Sequence, residues 1–196
     1  MKRPVSLTLL LLFFCLSSCH DDDSDAPYPS IVTELADCQT DGEGRMTRIV
    51  LDDDTQLGLT NPQTGLKPNV TYRALAGYTR QTNRATLYSL TPAALLRDST
   101  SVATCDPVNV VSLWRTSRYL NLHLMPKTQG KGEHAWGFIT DSITDRHAYL
   151  RLHHRQGQDP TAYSTDQYAS LPLDLVPATR ITLRIETFQG LREWEL

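Results

Sequence analysis

The 196-residue chain carries no Gly-x-Ser-x-Gly elbow, no glycine-rich phosphate loop and no His-Glu-x-x-His pair. The acyl-transfer, nucleotide and zinc-peptidase chemistries that depend on those motifs therefore have no local signature. Positive charge is not in excess: 19 Lys and Arg stand against 22 Asp and Glu, for a net charge of −3. Nucleic-acid binding goes with a basic patch or a high pI, so nucleic acid is not an expected partner. No apolar run reaches the roughly 20 residues of a membrane-spanning helix. The acidic stretches lack the spaced ligands, glycine and distal glutamate of a calcium loop. No metal or cofactor is expected. Cysteine is scarce, with four residues, and two of them, Cys15 and Cys19, precede the acidic stretch.

The beginning of the chain is what stands out. Lys2 and Arg3 form a short basic region, Val5 to Leu16 an apolar segment, and small residues lead to Cys19, the layout of a secretory signal. Leu16-Ser17-Ser18-Cys19 resembles the lipobox of bacterial lipoproteins, which implies a signal peptide over 1–18 and a diacylglycerol on the Cys19 thiol. The alternative is an ordinary signal peptide with an incidental cysteine. One acyl chain holds a membrane marginally, whereas two or more anchor it stably. Asp21, Asp22, Asp23 and Asp25, followed by Pro27 and Pro29, cannot bury apolar surface, so 19–30 reads as a solvated tether. Acidic residues after a lipidated cysteine resemble the export signal of Bacteroidetes surface lipoproteins, which implies a lipid-anchored outer-membrane location, either surface-exposed or facing the periplasm. With those four aspartates set aside, the remainder is close to neutral.

The rest alternates with a period of two. Ile31–Gln39, Arg45–Leu51, Thr55–Leu59, Val70–Tyr78 and Arg84–Leu90 read as five strands, with an Asp-Gly hairpin signal at Asp41-Gly42. They suit a five-stranded OB-like barrel over 31–98. Asp52-Asp53-Asp54 reads as a solvated turn rather than a metal site, because consecutive residues at a tight turn diverge. Thr91–Leu96 predicts a single helical turn with Thr91 as cap and Pro92 at its first position. After a linker over 99–106, the segments at Val108–Trp114, Leu120–Leu124, His134–Thr140, Ala148–His154 and Ile181–Glu186 predict an antiparallel β-sandwich over 107–196. Ser170-Leu171-Pro172-Leu173 is expected at an edge at best, since proline cannot donate to a central ladder. The fold class is thus all-β. The adjacent pair His153 and His154 points to opposite faces of a regular strand, so the two cannot share one mononuclear site.

Taken in order, the lipobox, the acidic tether, the early Asp-Gly-Glu-Gly hairpin, Leu51-Asp52-Asp53-Asp54-Thr55, Arg118-Tyr119-Leu120-Asn121-Leu122, Gln158-Asp159-Pro160, Ser170-Leu171-Pro172-Leu173 and the Ile181–Glu186 strand resemble the NigD-like lipoproteins of Bacteroidetes over the full length. The resemblance implies an OB-like domain joined to a β-sandwich and supplies no catalytic residues. The expected role is a non-catalytic accessory or binding module of the envelope for a glycan or protein partner. A structural spacer in a surface assembly is the alternative, and a hydrolase with an unrecognised site ranks lower. Tyr119, Asn121 and His123, opposite the Leu120–Leu124 face, and Tyr149, Arg151 and His153, opposite Leu150 and Leu152, are candidate binding residues, amphipathic aromatics being suited to sugars or proteins. Arg80, in the Thr79–Asn83 connection, is a candidate on the barrel, as is the Thr40–Gly44 loop. The competing reading is an ordinary solvated sheet face. An exported chain meets oxidant, so Cys38 and Cys105 are expected either as a disulfide or as two buried thiols. Asp98-Ser99-Thr100 and Asp141-Ser142-Ile143 resemble the O-glycosylation sequence of exported Bacteroidetes proteins, marking Ser99 and Ser142.

Overall fold

Five strands come first in the computed structural model, which describes residues 30–99 and 105–196: β1 (Val32–Thr40), β2 (Met46–Leu51), β3 (Gln56–Gln63), β4 (Thr71–Gln81) and β5 (Arg84–Leu95). The expected signal peptide, Cys19 and the tether as far as residue 29 lie outside the described residues, as do residues 100–104 of the expected linker. The strands pair in the order β3-β2-β1-β4-β5, and a parallel bridge of Gly58 to Arg84 and Leu59 to Ala85 joins β3 back to β5. That closes the five-stranded barrel. Period-two alternation fills it with Ala36 and Cys38 from β1, Ile49 from β2, Leu57 from β3, and Ala74, Ala76 and Tyr78 from β4.

The connections follow from their turn residues. At the β1–β2 hairpin, the Asp41 carboxylate accepts the backbone N–H groups of Glu43 (3.0 Å) and Arg45 (2.9 Å). Gly44 follows at φ +73°, and a Cβ there would lie 2.2 Å from the carbonyl oxygen of Leu66, so only glycine fits. In the β2–β3 turn, Asp53 accepts the Thr55 N–H at 2.9 Å and Asp54 takes a left-handed φ of 66°.

The second half contains β6 (Asn109–Arg115), β7 (Tyr119–Met125), β8 (Lys127–Thr128), β9 (Ala135–Thr144), β10 (His147–Arg155), β11 (Tyr163–Ser164), β12 (Gln167–Pro172), β13 (Arg180–Thr187) and β14 (Gly190–Glu195), with a single 3-10 turn at Leu173–Leu175. β5 continues past the barrel, so one eight-stranded sheet runs β3-β2-β1-β4-β5-β12-β7-β6, while a second sheet runs β14-β13-β10-β9. Between them lies a second core containing Leu120, Leu122 and Leu124 of β7, Leu150 and Leu152 of β10, and Ile181 and Leu183 of β13. Each such side chain, fully buried, contributes about 1.5–3 kcal/mol. β10 and β13 pair in parallel, which requires a crossover. The chain from 156 to 179 supplies it by way of β11 and β12. Both cores belong to one unit running from Ile31 to Leu196.

Three local expectations are corrected. Thr91–Leu95 is strand rather than helix, because β5 finds partners on both sides: β4 as far as Pro92, and β12 from Ala93. Tertiary pairing overrides the local helical signal. β12 is internal, between β5 and β7; Pro172 is accommodated because pairing with β5 ends at Ser170 and only β7 continues alongside it. β14 adds an edge strand beyond β13 that the sequence reading did not anticipate.

Candidate functional site

Two cross-strand pairs meet outside the barrel core. Asp37 of β1 sits opposite Arg73 of β4, and Asn121 of β7 sits opposite Ser170 of β12; all four are buried. Arg73 donates Nε to Ser170 Oγ (3.0 Å), Nη1 to Asp37 Oδ1 (3.2 Å), and Nη2 to both Asp52 Oδ2 (2.9 Å) and Asn121 Oδ1 (3.1 Å). Its guanidinium lies 3.9 Å above the Tyr119 ring. The Tyr119 hydroxyl donates to Asp37 Oδ2 at 3.0 Å, and Arg118 Nη2 to the same oxygen at 2.7 Å. Burial, and then the Asp37 charge, push the Tyr119 phenol above its ordinary range.

This overturns the expected ligand face for Tyr119 and Asn121. Alternation does set them opposite Leu120, Leu122 and Leu124, but the barrel covers that face, and its charges are spent on Arg73 and Asp52. Asp52 likewise belongs to the buried network and not to a purely solvated turn. His123 remains half-buried, stacked on Tyr168 at 4.5 Å and bonded to Asp166 at 2.7 Å. On β10, Tyr149 stacks on His147 at 4.3 Å, and Arg151 Nε donates to Asp141 Oδ1 at 2.8 Å. His153 is buried, opposite Gly137 in the β9–β10 register. The Arg97–Ser99 segment pairs with Phe138 beside it, through Phe138 N–H to Arg97 O (2.9 Å) and Ser99 N–H to Phe138 O (2.7 Å), so His153 is no exposed binding residue. Arg80 is exposed and donates Nε to Thr82 O at 3.1 Å within its own turn. Ser142 is exposed on β9 and Ser99 half-buried.

Of the two alternatives for Cys38 and Cys105, the structure has the free thiols, Cys38 buried and Cys105 half-buried. Cys38 lies inside the barrel, where burial, and then the adjacent Asp37 charge, push its thiol up to about 12. Cys105 precedes Asp106, whose N–H bonds to His154 O at 2.8 Å, on the sandwich. Cys38 thus belongs to the barrel core, and Cys105 to neither core.

A cleft of about 490 Å³ opens between the end of β5 and the sandwich, lined by Pro92, Ala93, Ala94, Pro126, Thr128, Gly132, Glu133, His134, Trp136, Thr165 and Gln167. Its volume falls in the range of small-molecule sites, about 300–1,000 Å³. The hub of its wall is Asp159. Oδ1 accepts the N–H groups of Gln129 (3.0 Å) and Lys131 (3.2 Å), and Oδ2 accepts the Thr128 hydroxyl and faces His134 Nε2 at 3.2 Å. Those bonds, the Thr128 hydroxyl first, hold the carboxyl well below the usual carboxylate range. The 128–134 loop closes so tightly on Asp159 that a Cβ on Gly132 would come within 2.9 Å of its backbone nitrogen.

From Asp159 the polar chain continues inward. His134 Nδ1 is 3.0 Å from His154 Nε2, and His154 Nδ1 is 3.0 Å from the carbonyl of Asp106. Three contacts thus link two acceptors through two imidazoles, and two neutral rings bring only two N–H groups. All three contacts are bonded only when one ring carries an extra proton. Burial pulls the His154 imidazole down to about 4, so that ring is neutral at ordinary pH. The neutral His154 ring in turn stacks against Trp136, at 4.1 Å and 13° between planes. The relay therefore fixes an aromatic plate at the cleft.

Sequence reasoning named Gln158-Asp159-Pro160 as a block and His154 as half of a pair, but it gave no cue that residues 128, 134, 154 and 159 converge. No group of three or more His, Cys, Asp and Glu among the described residues could hold a metal ion.

Comparison with solved structures finds the same fold repeatedly. A NigD-like immunity protein from Bacteroides caccae ATCC 43185 superposes with a TM-score of 0.67 at 23% identity, over 86% of this chain and 93% of that one. A candidate toxin-related protein from Parabacteroides distasonis ATCC 8503 gives 0.70 at 20% identity, over 85% and 92%. A candidate lipoprotein from Bacteroides fragilis NCTC 9343 gives 0.60 at 11% identity, over 85% and 96%. At these identities the likeness is one of fold. No curated protein matches the chain. The profile of the NigD-like C-terminal beta sandwich domain matches residues 92–196, which takes in the second core, the cleft wall and the Asp159 relay. With over half of its length matched, this chain belongs to the NigD-like family.

Proposed function

We propose that this protein is a non-catalytic accessory module of the bacterial cell envelope, held at the outer membrane by a lipid on Cys19, that recognises a partner through the cleft beside Trp136. The carrying observation is the wall itself. Its imidazole, His134, has both nitrogens engaged, and the Thr128 hydroxyl donates to Asp159. The groups that would serve as base and nucleophile are thus committed to holding the wall in place, an arrangement that favours binding over turnover. The fold shared with a candidate lipoprotein supports the anchor, and the fold shared with a protein named for immunity fits a role exercised by binding.

Two measurements test this. Cys19→Ser should move the protein from the detergent phase to the aqueous phase; unchanged partitioning would remove the anchor from the reading. A photo-crosslinker at Glu133, exposed at the cleft, should capture an envelope component in cells.

A structural spacer is the second reading, favoured by the eight-stranded sheet that carries the barrel into the sandwich. It predicts stoichiometric crosslinks to one protein from the barrel surface, for example from Tyr88, 56% exposed, and none from Glu133.

A further inference from the structure

Building on the reading of the cleft as a recognition site, we infer that its ligand is a neutral oligosaccharide. Trp136 lines the cleft with one face stacked on the His154 ring, so the indole is fixed in orientation before any ligand arrives. A pre-organised aromatic plate suits the C–H face of a pyranose, because the cost of ordering it has already been met. Around it the lining alternates apolar and hydrogen-bonding groups. Pro92, Ala93, Ala94 and Pro126 supply smooth contact, while Thr128, Thr165, Gln167 and Glu133 carry hydroxyl, amide and carboxylate groups. Sugar rings present the same mixture of apolar faces and polar edges.

Other ligand classes fit less well. Among the described residues no Lys or Arg lines the cleft and the exposed Glu133 does, which disfavours phosphate, nucleic acid and acidic polysaccharide. Both ring nitrogens of His134 are engaged, by His154 and Asp159. A peptide added as a strand needs a free sheet edge, but β5 at Ala93 and Ala94 is already paired with β12. Pro92 and Pro126 have no N–H to give. A large apolar side chain would find no enclosed socket, because apart from Trp136 the apolar wall consists of prolines and alanines.

The test is tryptophan fluorescence and calorimetry on the purified full-length protein in detergent. The probes are neutral oligosaccharides, namely α-1,4-glucan, β-1,4-mannan and β-1,4-xylan fragments, with oligogalacturonate as the acidic comparison. At least one neutral probe should bind saturably and the acidic one should not. Trp136→Phe, which keeps a plate, should bind within about threefold of wild type, and Trp136→Ala should lose roughly tenfold or more. Because Trp136 also packs against the sandwich core, Thr165→Val and Gln167→Ala provide variants outside that core. Each should weaken binding severalfold with an unchanged melting temperature.

A blank neutral panel overturns the inference, as does binding that Trp136→Ala and Gln167→Ala both leave intact. The Glu133 crosslink then separates the two levels of the argument. A blank panel with a protein captured at Glu133 removes the saccharide and keeps recognition at the cleft. A blank panel with nothing captured removes both.

Discussion

Replacing Arg73 with Met is the most direct test of how the barrel is joined to the sandwich. Arg73 is the hub of the buried network: five nitrogen–oxygen contacts within 3.2 Å reach Asp37, Asp52, Asn121 and Ser170, with Tyr119 stacked beneath. Met fills a similar length without a charge. Asp37 would keep Arg118 and the Tyr119 hydroxyl, but Asp52 would keep only the Asn121 amide at 2.8 Å. Removing one partner of a buried ion pair costs about 3–5 kcal/mol, because the charge left behind is neither solvated nor paired. For a unit of this size each kcal/mol lowers the melting temperature by about 2–4 °C, so the expected fall is roughly 6–20 °C. Asp37→Asn, combined with Arg73→Met, should recover part of that loss, and the double-mutant cycle should give a coupling of about 0.5–3 kcal/mol. Calorimetric melting of the four proteins measures it. A fall of less than about 3 °C for Arg73→Met, or strict additivity in the cycle, would refute the claim that this network joins the two halves.

The other expectations are more local. His154 is pulled down to about 4 from an ordinary value near 6.5, so the unfolded chain takes up this proton before the folded one does. Its contribution is complete above about pH 6.5 and falls by up to about 3 kcal/mol as pH drops to 4; urea midpoints across that window should show a shallower slope in His154→Gln, and an identical slope would exclude His154 as the cause. Iodoacetamide applied without reductant should label Cys105 in the native protein, and Cys38 only after denaturation, because the thiolate attacks and the Cys38 thiol sits at about 12; recovery of a Cys38–Cys105 linked peptide would contradict the free thiols. Gly132→Ala should cost about 1–3 kcal/mol by overpacking against Asp159, read as a lowered melting temperature, and an unchanged value would mean that the 128–134 loop yields freely.

The strands were legible because their alternation is regular. Ile49 and Leu51, Leu120 to Leu124, and Ile181 to Ile185 each put apolar residues on one side, and barrel and sandwich followed from their spacing. What covers the other side was not legible. Tyr119 and Asn121 carry the same pattern whether they meet water, a ligand or another part of the chain. The pairing of Arg73 with Asp37 and Asp52 depends on a register that no local signal specifies. Thr91-Pro92 shows the same limit from the opposite direction: a sound local cap signal yielded to two strand partners far away in sequence. At the cleft, Gln158-Asp159-Pro160 was legible only as a block of the family pattern, and which carboxylate a loop encloses is decided only in three dimensions.

The two polar clusters differ in one respect that bears on how the protein behaves in its compartment. The junction is built around Arg73 and Arg118, which keep their charge at any physiological pH, so its bonding does not change as protons come and go near neutrality. The cleft wall is built around two imidazoles, of which burial pulls that of His154 down to about 4. Protonation of His154 places its imidazolium 5.1 Å, centroid to centroid, from the His134 ring. That change acts where Trp136 rests on His154 and does not reach Arg73. As pH falls from about 6.5 toward 4, the Arg73 junction therefore keeps its bonding while the neutral His154 ring is lost. Binding at the cleft should weaken over the same window in which His154 lowers the melting temperature, and His154→Gln should flatten both dependences.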